Sequence, residues 1–125
     1  MSTWRHKAIE AAPELRKRLE EAWSPMAAWI ELTSAFEAAV KAGDMAKARR
    51  IMAFARYCLG APNADVRTAV VVGFIEHLAQ DEAVRARLPE LISAEEARDW
   101  REVMAYHAGD RVAAGVEAAC RRARP

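Results

Sequence analysis

The sequence predicts an all-α protein, and three observations carry that prediction. The composition is rich in Ala, Arg, Glu and Leu, and poor in Gly and Thr. β-Branched residues are scarce outside the run Val70-Val71-Val72. That mixture favours helix almost everywhere. Helix start and stop signals also recur at short intervals, and between them apolar residues repeat every three or four positions.

Thr3 is placed to cap a first helix that ends near Ala12, and Pro13 fits the first turn of a second through Leu15 and Leu19. Ser24-Pro25 is a strong start, with Ser24 as N-cap and Pro25 at the first helical position. The third helix runs to Ala42, with Met26, Trp29, Ile30, Thr33, Phe36 and Val40 assigned to one face. Gly43 falls past its C-cap and Asp44 caps the fourth, from about Met45 to Leu59. Gly60-Ala61-Pro62 stops that helix.

The fifth helix is predicted from about Asp65 to Gln80, apolar nearly all round and central to the core. Its valines would suit a strand, but no partner strand appears elsewhere. Asp81 caps a short helix that ends before Pro89, and Ser93-Ala94-Glu95-Glu96 is a capping box ahead of a helix through His107. Gly109-Asp110 repeats the Gly-then-cap junction. The tail Arg121-Arg122-Ala123-Arg124-Pro125 is expected to fray. The prediction is therefore roughly seven or eight short antiparallel helices, joined by short loops. Stacked as helical hairpins, they would form a right-handed superhelix of HEAT or armadillo type. No repeat of fixed period accompanies them.

A chain of 125 residues is read as one domain, 1–125, with enough core to need no disulfide or structural metal. Its 19 basic and 18 acidic residues leave a net charge of +1, which argues against a dedicated nucleic-acid binder. Arg49, Arg50, Arg85, Arg87 and the C-terminal arginines are interleaved with glutamates, the pattern of a solvated surface. Cys58 and Cys120 form no CxxC and no Cys/His cluster. With no apolar signal core after the N-terminus and no run long enough to span a bilayer, a cytoplasmic protein is expected.

The polar residues set among apolar ones are the candidates for chemistry. Glu76 and His77 interrupt the apolar run of the fifth helix. On a regular helix they point about 100° apart and so find separate partners. His107 closes its own helix, where an imidazolium also meets the dipole favourably. If His77 and His107 converge, Glu31 or Glu76 would complete a His/His/Glu metal site. No local motif such as HExxH supports one. Glu31 sits among alanines, where a buried pair with Arg56 would fix helix register.

The aromatic residues are core anchors by spacing, with one or two available for an interface. Phe54 and Tyr57 fall off the main apolar face of the fourth helix, on the row of Lys47 and Arg50. Arg50, Phe54 and Tyr57 thus form a candidate partner surface, unless they pack against an adjacent hairpin.

Three strings stand out: Ser24 to Leu32 (SPMAAWIEL), Ala55 to Leu59 (ARYCL) and Val70 to Leu78 (VVVGFIEHL). With Leu88-Pro89 and Tyr106-His107, they resemble a family of small, uncharacterised bacterial all-helical proteins over about residues 10–108. The resemblance implies a fold and transfers no catalytic residue. Several bacterial proteins of this size and type are immunity or accessory proteins of toxin systems, an analogy of class only.

The first functional expectation is a non-enzymatic interaction module that binds another protein. It needs no cofactor or metal and no catalytic residue. The alternative is a metal-binding protein or small hydrolase-like enzyme using His77 and His107 with Glu31 or Glu76.

Overall fold

The computed structural model describes residues 1–123. All regular structure among them is helical, with no strand, so the chain is all-α as the sequence predicts. The chain divides into two compact units at the Phe74–Ile75 bond. The first unit holds α1 (Thr3–Ala11), a 3-10 turn (Pro13–Leu15), α2 (Arg16–Glu21), α3 (Pro25–Ala42), α4 (Met45–Leu59) and α5 (Ala64–Gly73). The second holds a 3-10 turn (Ile75–His77), α6 (Glu82–Arg87), a third such turn (Leu88–Glu90), α7 (Ala94–Asp99), α8 (Arg101–Ala108) and α9 (Asp110–Arg122).

In the first unit the long helices begin and end where their signals lie. Ser24 Oγ accepts from Ala27 N at 3.1 Å, and Pro25 opens α3. Gly43 closes α3 at φ 78°, a left-handed conformation that a Cβ would disfavour. Asp44 Oδ1 then accepts from Lys47 N at the start of α4. Between these helices and α5 lies an aromatic core. Trp29 stacks on Phe54 (centroids 5.3 Å apart) and on Phe74 (4.7 Å), and Phe36 meets Phe74 edge-on at 5.0 Å. All four rings are buried. On the opposite side of α4, α1 is held by Arg50 Nε, which donates to Ala11 O at 3.2 Å. Arg5 reaches the carbonyls of Leu19 and Ala22 and so closes the end of α2.

The expected helix from Asp65 to Gln80 is not continuous. It stops at Gly73, and Phe74 leaves helical geometry at φ −134°, ψ −63°. Thr33 Oγ1 on α3 donates to Gly73 O at 2.8 Å, taking a carbonyl that a continuing helix would use. Gly73 also lies against α3. A Cβ there would come within 3.0 Å of Trp29 Cβ and 3.2 Å of Met26 Sδ. The run is less enclosed than its composition suggests, since Val72 faces solvent.

In the second unit, Asp81 Oδ1 caps α6 by accepting from Val84 N. Ser93 and Glu96 form the expected reciprocal box at the start of α7. The helix expected to run on to His107 is broken at Trp100 (ψ 1°). That break brings the total to nine α-helices among the described residues. Gly109 (φ 92°) turns the chain between α8 and α9; Asp110 is the first residue of α9 rather than its cap. α9 buries Ala113, Val116, Glu117 and Cys120, a single stripe at helical spacing. Arg121 and Arg122 complete its last turn, whereas Arg124 and Pro125 of the tail expected to fray lie outside the described residues.

Candidate functional site

The break after Gly73 sets up the one three-residue cluster of potential ligands among the described residues. Glu76 and His77 lie in the tight turn Ile75–His77, which packs against α8. Their directions are no longer those of a regular helix. Both meet His107, in the last turn of α8. The His107 Nε2 proton is donated to Glu76 Oε1 at 3.0 Å. The His77 and His107 rings stack with centroids 4.6 Å apart and planes 13° apart. His77 Nδ1 donates to Gln80 Oε1 at 2.6 Å; the amide oxygen can only accept, so Nδ1 carries a proton and Nε2 is the nitrogen free of this bond. One ligand atom from each of Glu76, His77 and His107 lies within 4.8 Å of the other two. Glu76 and His77 do take separate hydrogen-bond partners, His107 and Gln80, but His77 also stacks on His107, so the two side chains meet one residue. The short turn and His107 bring them together.

Glu31 is not part of this cluster. It pairs with Arg18 Nη1 at 3.1 Å on the surface of the first unit. Arg56 is exposed, so the buried Glu31–Arg56 pair does not form. The alanines around Glu31 had suggested close helix approach, but Glu31 projects at the edge of α3 and not into the seam.

The candidate partner surface is also corrected in part. Phe54 is core, because α4 is covered both by α1 and by the aromatic stack on Trp29. Even so, Arg50, Phe54 and Tyr57 together line an open cleft of about 340 Å³, with Lys7, Glu10, Ala11 and Ala53. The most exposed large apolar residues of the first unit lie elsewhere. Trp23, just before the Ser24 cap, is 88% exposed, and Ile30 on α3 is 68% exposed. Spacing puts Ile30 on the same face as Trp29, but the aromatic core takes the 29–32–36 stripe and leaves 30 outside.

Two further features lie outside the residues singled out from the sequence. Gln80 orients His77 from a position that reads as a helix end. Glu117, only 8% exposed, accepts from Arg101 Nη1 at 3.1 Å and Arg121 Nη1 at 2.6 Å. Of these, only the i, i+4 spacing of Glu117 and Arg121 was visible beforehand. Burial pushes the Cys58 thiol up to about 12, with the Trp29 indole partly opposing it, so Cys58 is not a nucleophile.

No helix among the described residues is long and apolar enough to cross a membrane. Residues 5–108 match a family model described as Domain of unknown function (DUF7674), in keeping with the resemblance to an uncharacterised all-helical family. No curated protein and no solved structure matches the chain.

Proposed function

We propose that this chain, which belongs to the DUF7674 family, is a non-enzymatic helical module that docks another protein. The observation that carries this reading is the exposure of Trp23 (88%) and Ile30 (68%) at one end of α3. Trp23 directly precedes the Ser24 cap, outside the helix, and Ile30 lies seven positions on, early in α3. Leaving two large apolar side chains in water gains nothing for the fold, and Trp is the residue type most enriched among interface anchors. The Arg18–Glu31 pair beside them supplies a polar rim. Helical hairpins stacked in the HEAT or armadillo manner would present such an edge sideways to a partner. A role as an immunity-type or accessory protein in the bacterial cytoplasm is the setting we favour, on the strength of the resemblance.

The test is affinity capture from the native host with the wild-type chain and with Trp23→Ala/Ile30→Asp. A stoichiometric partner should be retained by the wild type and lost by at least about tenfold in the double variant, with unchanged helicity. Capture unaffected by the double substitution, or absence of any partner, overturns the reading. Loss on Tyr57→Ala instead would move docking to the cleft between α1 and α4.

A further inference from the structure

We propose that Glu76, His77 and His107 form a binding site for a divalent transition cation of the Zn²⁺ class. Two imidazoles and one carboxylate are the donor set such cations take, whereas Mg²⁺ and Ca²⁺ prefer oxygen alone. In a tetrahedral shell neighbouring ligand atoms stand about 3.4 Å apart. The Glu76–His107 pair is already at 3.0 Å, and none of the three ligand atoms exceeds 4.8 Å from another. Gln80 adds the outer-shell bond that ligating histidines need. By accepting the His77 Nδ1 proton it leaves the lone pair on Nε2, which we assign as the ligand. Glu76 and His77 are half-buried and His107 is exposed, so the cluster is reachable from solvent.

The metal-free geometry states what must change. Rings stacked 4.6 Å apart and 13° from parallel hold their in-plane lone pairs in separate, nearly parallel planes, so one ring has to turn for both to reach one cation. His107 is the one free to do so, at the open end of α8. It exchanges its stack on His77 for a shared cation. Its Nε2 proton, now donated to Glu76, moves to Nδ1 when the ring is neutral, or to solvent when it is an imidazolium. Glu76 Oε1 then turns from hydrogen-bond acceptor to ligand.

The experiment uses the full chain without a tag, stripped of metal. Zn²⁺ is titrated by calorimetry and Co²⁺ by visible absorption. One equivalent should bind saturably, with ligand-field bands for Co²⁺. Zn²⁺ should shift the ring nitrogens of His77 and His107 in the NMR spectrum of the wild-type protein and leave those of His6 in place. His77→Ala, His107→Ala and Glu76→Gln should each weaken binding at least about tenfold, and Gln80→Ala by less, with the stoichiometry kept. Glu76→Gln preserves the size of the side chain and guards against a folding defect. His6→Ala should change nothing. Weak, non-saturating binding, unshifted His77 and His107 rings, or loss of binding in His6→Ala would each overturn the site. None of these readouts depends on Trp23, Ile30 or a protein partner.

Discussion

The two compact units solve the same problem with different materials. The first, from Met1 to Phe74, is built on helices as long as 18 and 15 residues and closes around four packed aromatic rings. The second begins at Ile75 and uses helices of 6 to 13 residues. It buries aliphatic chains such as Ile75, Leu88, Met104 and Val116, and no Trp, Phe or Tyr is buried there. What it has in place of rings is polar joinery: Glu117 between two arginines, and Glu76 and His77 on His107. Large rings hold a few long elements with little directional demand. Short elements offer less apolar area each, and charged hydrogen bonds then fix how they meet.

Removing the central ring is the sharpest way to break this contrast. Trp29→Ala should cost about 4 kcal/mol, and Met104→Ala, the nearest equivalent in the second unit, about 2–3 kcal/mol. Urea unfolding of the two variants measures both. An equal or reversed order would mean the rings are not what sets the first unit apart.

A smaller effect is expected from the polar joinery. Glu117→Ala should cost about 1–2 kcal/mol, because both arginine ends are partly in water and can rehydrate. The loss should shrink in high salt. A cost unchanged by salt would show that Glu117 acts through its buried methylenes and not through its charge.

A further effect lies at alkaline pH. Burial raises the Cys58 thiol, and burial followed by the Glu96 charge raises Cys120. The unfolded thiol ionises first, so stability should fall as pH climbs past the ordinary thiol range, and for Cys58 the loss should level off near 12. Urea midpoints from about pH 8 to about pH 10 should fall less steeply in Cys58→Ala than in the wild type. Parallel slopes would mean that Cys58 is not sheltered.

Punctuation was legible and interruption was not. Ser24-Pro25, Gly43-Asp44 and the Ser93–Glu96 box act locally, through bonds within one turn, so a single stretch of sequence reveals them. The break at Gly73 depends on Thr33, 40 positions earlier, and on the back of Trp29. No periodicity within residues 65–80 carries that information. The same gap hid the site. A regular helix sends Glu76 and His77 apart, and only the tightened turn delivers both to His107. Phe54 and Ile30 exchanged their expected places for a related reason. Each helix has more apolar residues than one face can bury, and the neighbour that arrives decides which are covered.

Trp23 and Trp29 stand six positions apart, one almost wholly in water and one sealed within the aromatic core. Their emission will therefore differ in colour and in access to a dissolved quencher such as acrylamide. A partner landing on the end of α3 would shield Trp23 and blue-shift it while Trp29 stays silent. Unfolding would do the reverse to Trp29. With Trp4 and Trp100 replaced by Phe, the chain carries one optical label for docking and another for integrity.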